Sequence, residues 1–122
     1  MVQQLIKSIY LSVVFLIIGK FISLGEILQF VDVASFLFVV IPTLISFILG
    51  HNSSKKIALR NVLYVSTCSG LLGAIIGLIH TLSNFAVDAI GIQVGISVAL
   101  IPLFYGVSIT LLFIPFYSLE NN

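Results

Sequence analysis

Long apolar runs separated by short polar ones extend along the whole chain. The first run predicts a helix over about 5–24. Lys7 and Lys20 lie near its ends, where a lysine stem follows apolar surface while its ammonium reaches water. Gly25 and Glu26 mark a break. The second run predicts a helix over about 33–49, free of charge and holding Pro42. Proline removes a backbone donor, and membrane helices tolerate it where neighbours satisfy the freed carbonyl. The stretch Gly50 to Arg60, containing His51-Asn52-Ser53-Ser54-Lys55-Lys56, predicts a polar loop. A third helix is predicted over about 61–82, a short turn over 83–88, and a fourth helix over about 90–117. The last is long for one crossing and predicts tilt or protrusion, with Pro102 and Pro115 punctuating it. About 20 apolar residues cross a bilayer. The pattern therefore predicts an all-α integral membrane protein, one transmembrane domain over residues 1–122 with four transmembrane helices.

Composition agrees. Of 122 residues, 60% are hydrophobic and 7% charged, against about 25% charged in soluble domains. A net charge of +1 leaves no basic footprint for nucleic acid. Cys68 is the sole cysteine, which excludes an intrachain disulfide, and its apolar surroundings predict a small buried packing residue. Lys7 ahead of an apolar run has the look of a secretory signal. No small-residue cleavage site follows and the run continues, so a retained first span is expected. Lys55, Lys56 and Arg60 place their loop in the cytoplasm by the positive-inside rule, and with it both termini.

Small residues recur every four positions in the third helix. Ser69, Gly73 and Gly77 form one stripe, Gly70 and Ala74 an adjacent one. Gly91, Gly95 and Ala99 repeat the spacing at the start of the fourth. Such stripes let helix backbones approach closely. Packing inside one subunit accounts for one stripe; two adjacent stripes predict contacts on two sides, hence between subunits. A chain this small cannot enclose a pore, so transport would require an oligomer.

Ionisable groups at membrane depth are the candidates for function. Asp32 is either an ion-entry acid or the cap of the second helix. His80 is either a proton relay or a headgroup-level histidine. Asp88 is expected in solvent, and Lys20 pairs with Glu26 or Asp32. Ser97, Ser108 and Thr110 are expected to bond back to helix carbonyls. No catalytic constellation, metal-ligand spacing or cofactor motif is present, so no enzyme and no cofactor are expected.

Three pieces resemble the MotA/TolQ/ExbB proton-channel family, and within it the flagellar stator subunits MotA and PomA. Phe30-Val31-Asp32-Val33-Ala34-Ser35 is similar to the acid-containing entry to the family's second helix. Ser46-Phe47-Ile48-Leu49-Gly50-His51-Asn52 is similar to that helix's cytoplasmic end. Gly70-x-x-Gly73-x-x-x-Gly77 with Leu82-Ser83-Asn84, then Ser97-Val98-Ala99-Leu100 through Phe104-Tyr105-Gly106 to Pro115, resembles the third and fourth helices.

The resemblance implies a bacterial inner-membrane homopentamer whose third and fourth helices line a central channel. That channel would hold single-span partners of the MotB/TolR/ExbD type, with an acid on the partner carrying the ion. It nominates Gly70, Gly73, Ala74, Gly77, Val98, Pro102, Leu103 and Tyr105 as cavity lining, while the small-residue spacing nominates Ser69, Gly91, Gly95 and Ala99 as subunit packing. The family's large cytoplasmic insertion between helices two and three is missing. Its third-helix threonine is replaced by Ala74. The fourth-helix position falls on Leu103, or on Pro102 if the register is anchored at Pro115, and the third helix's opening proline falls near Thr67. Neither Ala74 nor the Leu103 or Pro102 position supplies a hydroxyl, and apolar constrictions tend to dewet. Three readings follow: the ring component of an ion-driven motor, a non-conducting scaffold whose apolar cavity holds a partner helix or lipid, and an unrelated small transporter subunit.

Overall fold

The computed structural model describes residues 1–84, 86 and 88–120. Phe85 and Val87 of the expected outer turn lie outside the described residues. The elements are α1 (Val2–Ser23), a 3₁₀ turn (Ile27–Phe30), α2 (Val33–His51), α3 (Lys55–Leu82), α4 (Ala89–Ala99) and α5 (Ile101–Glu120). Four helical stretches are long and apolar enough to cross a membrane, with α4 and α5 together forming the fourth over Ala89–Glu120.

Side-chain caps set three of the helix starts. Asp32 accepts the Ser35 N–H, Ser54 the Ile57 N–H and Asp88 the Gly91 N–H, each occupying an amide that the first turn leaves without a helical partner. The Ser54 cap corrects the expected Gly50–Arg60 loop. Only Asn52, Ser53 and Ser54 connect α2 to α3, and Lys55, Lys56 and Arg60 ride the first turns of α3. Lysine and arginine are good helix formers, and the intervening Ala58 and Leu59 are buried, which holds this segment in the helix. The connection is tight: a Cβ on Gly50 would lie 2.7 Å from the Ala58 Cα.

Prolines divide the fourth crossing. Pro102 lacks the N–H that would bond the Val98 carbonyl, and the chain bends at Leu100, whose own N–H still reaches Ile96. Pro115 similarly frees the Leu111 carbonyl. The Tyr10 hydroxyl of α1 donates to it at 2.9 Å, so the defect in one helix becomes the anchor of another.

Helix α3 is the hub, packed along α2 on one side and α5 on the other, with α4 against its C-terminal end. The fully buried Val39 and Ser66 mark the core. Helix α1 touches mainly α5 and has only Val14 buried. The peripheral layer is thus α1 alone, while α2 belongs to the core. Cys68 is exposed on α3, against the expectation of a buried residue, because its neighbours Ser66, Ser69 and Gly70 take the inward positions.

Candidate functional site

The Asp32 carboxylate accepts both the backbone N–H of Ser35, at 3.1 Å, and its hydroxyl. These bonds, the hydroxyl foremost, hold its carboxyl below the usual carboxylate range. The Tyr105 hydroxyl donates to the Phe30 carbonyl and accepts the Asp32 N–H at 3.1 Å. Phe36 meets the Tyr105 ring edge-on at 5.7 Å. Asp32 therefore caps α2, and Tyr105 latches that cap to α5. Tyr105, expected to line a cavity, spends its hydroxyl on this latch. His80 is exposed in the last turn of α3. Among the described residues, no group of three or more His, Cys, Asp or Glu could hold a metal. The only ion pair among them joins Lys55 to Glu120 at 2.5 Å, so Lys20 bridges neither Glu26 nor Asp32.

The small residues lie at close helix crossings. A Cβ on Gly70 would sit 2.6 Å from the Pro102 carbonyl oxygen, one on Gly73 2.7 Å from the Pro102 Cβ, and one on Gly77 2.7 Å from the Ala99 Cβ. A Cβ on Gly95 would strike Thr81. Ser69 borders a groove with Ala34, Phe38 and Pro42 of α2. The two sides reached by the α3 stripes are α2 and α4–α5 of the same chain, so the stripes themselves carry no argument for a second copy. Gly70, Ala74, Ser69, Ala99 and Pro102 are buried within the single chain, Leu103 is half-buried and Val98 is exposed. Gly91 gives its N–H to the Asp88 cap.

Midway along the α3–α5 contact lies a hydroxyl cluster that sequence reading missed. Thr110 Oγ1 is 2.9 Å from Ser66 Oγ and 2.6 Å from Thr67 Oγ1. It also lies within hydrogen-bond reach of the carbonyls of Leu63, at 3.2 Å, and Gly106, at 3.0 Å. Thr110 does bond back to its own helix, as expected, but it also gathers two hydroxyls of α3. The signal was present as Ser66-Thr67 and Thr110. What was not legible was that Gly106, whose absent side chain admits the Ser66 carbonyl, brings the two helices together there.

At the basic end, Lys56 and Arg60 are exposed, and the Lys7 ammonium lies 3.7 Å from the centroid of the Phe116 ring.

These features define a multi-pass, all-helical membrane protein. A sequence model of the MotA/TolQ/ExbB proton channel family matches residues 43–122. The chain belongs to that family. The match takes in the end of α2 and all of α3, α4 and α5, the tightly packed part of the fold. No curated protein and no solved structure matches the chain.

Proposed function

We propose that this chain is the ring subunit of an ion-motive-force-driven complex in the bacterial inner membrane. It would form a homopentamer around a single-span partner of the MotB/TolR/ExbD type, with both termini and the Lys55 end in the cytoplasm. Membership of a proton channel family supports the reading. The observation that carries it further is the closed core. Val39 and Ser66 are fully buried between α2, α3 and α5, so an ion would have to pass outside a single subunit, along an axis shared between copies. Exposed aliphatic residues on α3 and α4, among them Leu72, Ile75, Ile79 and Val98, offer a surface for that axis.

A second reading, a non-conducting scaffold, is favoured by the hydroxyls. Ala74 and Pro102 are buried and carry none. The hydroxyls of Ser66, Thr67 and Thr110 bond within the α3–α5 contact. The two readings separate in liposomes loaded with a pH-sensitive dye, with and without a co-expressed single-span partner bearing an intramembrane aspartate. The motor reading expects partner-dependent proton flux and particles of fivefold symmetry by electron microscopy. Fivefold rings without flux under either condition leave the scaffold, and the absence of any ring overturns both.

A further inference from the structure

At the Lys55 end of the bundle, the first turns of α1, the start of α3 and the end of α5 surround an open cleft of about 320 Å³. It is lined by Gln3, Gln4, Lys7, Lys55, Phe116 and Glu120, among others. A second cleft of about 260 Å³ runs between α1 and α5, along Ile6, Tyr10, Ile114 and Pro115. Gln3, Lys7 and Leu119 border both. The two are one groove, polar at the end of the bundle and apolar further into the membrane.

The groove exists because α1 is pinned to α5 by the Tyr10 bond to the Leu111 carbonyl and is otherwise loosely packed. Among the described residues that line its polar end, Lys7 and Lys55 stand against the single carboxylate of Glu120. Lys55 is paired with Glu120 at 2.5 Å. Among the described residues, Lys7 has no carboxylate within ion-pair distance, and its ammonium rests on the Phe116 ring instead. The Gln3 and Gln4 amides add donors. The first-turn amides of α1 and α3 add partial positive charge at the same end, set against the partial negative charge of the α5 C-terminus. Within a bilayer the apolar half is filled by hydrocarbon, because water gains nothing from Ile6, Ile114 and Pro115.

We infer that this groove holds one anionic phospholipid. Its phosphate would sit beside Lys7 and the Gln3 and Gln4 amides, with Lys55 as the second cation, and an acyl chain would lie along Ile6, Tyr10, Ile114 and Pro115. Basic pockets between membrane helices select anionic headgroups because a zwitterionic lipid brings no net charge to the lysines. The site is independent of conduction, since it lies against α1 and requires neither a second copy nor a partner protein.

Native mass spectrometry of the full chain, released from detergent containing equal phosphatidylglycerol and phosphatidylcholine, tests this. The parent should retain the anionic lipid about fivefold more than the zwitterionic one, as expected for one lysine near a charged headgroup. Lys7→Gln should bring the two to parity. Glu120→Gln should raise anionic-lipid retention, because it frees Lys55 and removes the negative charge. Lys56→Gln, outside the cleft, should change nothing. Equal retention of both lipids by the parent overturns the site, as does an equal loss in the Lys56 variant, which would mean diffuse surface charge. Displacement of bound lipid by millimolar inorganic phosphate also overturns it, since the acyl contacts would then contribute nothing. If Lys7→Gln fails to fold, Glu120→Gln decides alone, and unchanged retention there rejects the inference.

Discussion

Asp32 shows how a residue nominated for ion entry is used structurally. Its carboxylate is taken up by the Ser35 N–H and hydroxyl at the start of α2. Loss of such a cap costs about 1 kcal/mol. Asp32→Ala should therefore lower stability by about that much, read as an earlier midpoint in unfolding from mild detergent. The pH dependence has a definite sign. The folded carboxyl titrates below its ordinary 3.8, so the unfolded chain takes up protons more readily. The stabilisation is fully present above that ordinary value and is lost as pH falls through the lowered one. Parent and variant should differ by a constant between pH 7 and 5 and converge only in stronger acid. A difference that vanished between pH 7 and 5 would reject the assignment. The cap was legible in Asp32-Val33-Ala34-Ser35 as one of two alternatives. The Tyr105 latch was not, because it joins positions 73 residues apart.

At the scale of elements, glycines in similar apolar helices carry unequal weight. The space beside Gly70 is occupied by the Pro102 carbonyl at 2.6 Å and the Gly106 Cα at 3.1 Å, whereas nothing lies within 4 Å of a Cβ on Gly19. Gly70→Ala should push α3 from α5 and cost about 1–3 kcal/mol, the usual penalty for overpacking. Gly19→Ala meets no obstacle and should be neutral or stabilising by up to about 1 kcal/mol, because alanine is the better helix former. Thermal unfolding of the two variants under one detergent condition checks the contrast, and equal midpoints would refute it. Sequence spacing identified the α3 stripe without identifying what it meets. The spacing alone predicts a neighbouring copy on one of the two sides, whereas α2 and α4–α5 of the same chain occupy both.

At the scale of the whole molecule, the fold is a tight unit of α2, α3, α4 and α5 with α1 attached at its edge. The attachment depends on Pro115, which leaves the Leu111 carbonyl for Tyr10 to satisfy at 2.9 Å. A hydrogen bond between membrane helices is worth about 0.6 kcal/mol on average. Tyr10→Phe should cost about that amount and loosen α1, measurable as faster proteolysis at its end. In a Pro115→Ala background, the restored N–H serves the Leu111 carbonyl, and Tyr10→Phe should cost little. Equal costs in both backgrounds would show that the proline is not what recruits α1.

The pattern of apolar runs by itself marked four helices long and apolar enough to cross a membrane, because each run supplies the apolar side chains for one crossing and a helix satisfies its own backbone polar groups in hydrocarbon. The spacing of small residues marked α3 as a packing helix, and the order of motifs pointed to the family that the match over residues 43–122 establishes. Helix ends were less legible. The lysines before Asn61 read as a loop because charge is a weak guide to backbone state, and the Ser54 cap decided otherwise. Only the tertiary structure decided which helices form the core, that Thr110 gathers Ser66 and Thr67, and that Tyr105 and Tyr10 bind distant carbonyls. Hydropathy records whether a segment prefers lipid to water. It does not record which of several equally apolar faces meet, and that is settled by glycine clearances, proline defects and hydroxyl partners once the helices are side by side.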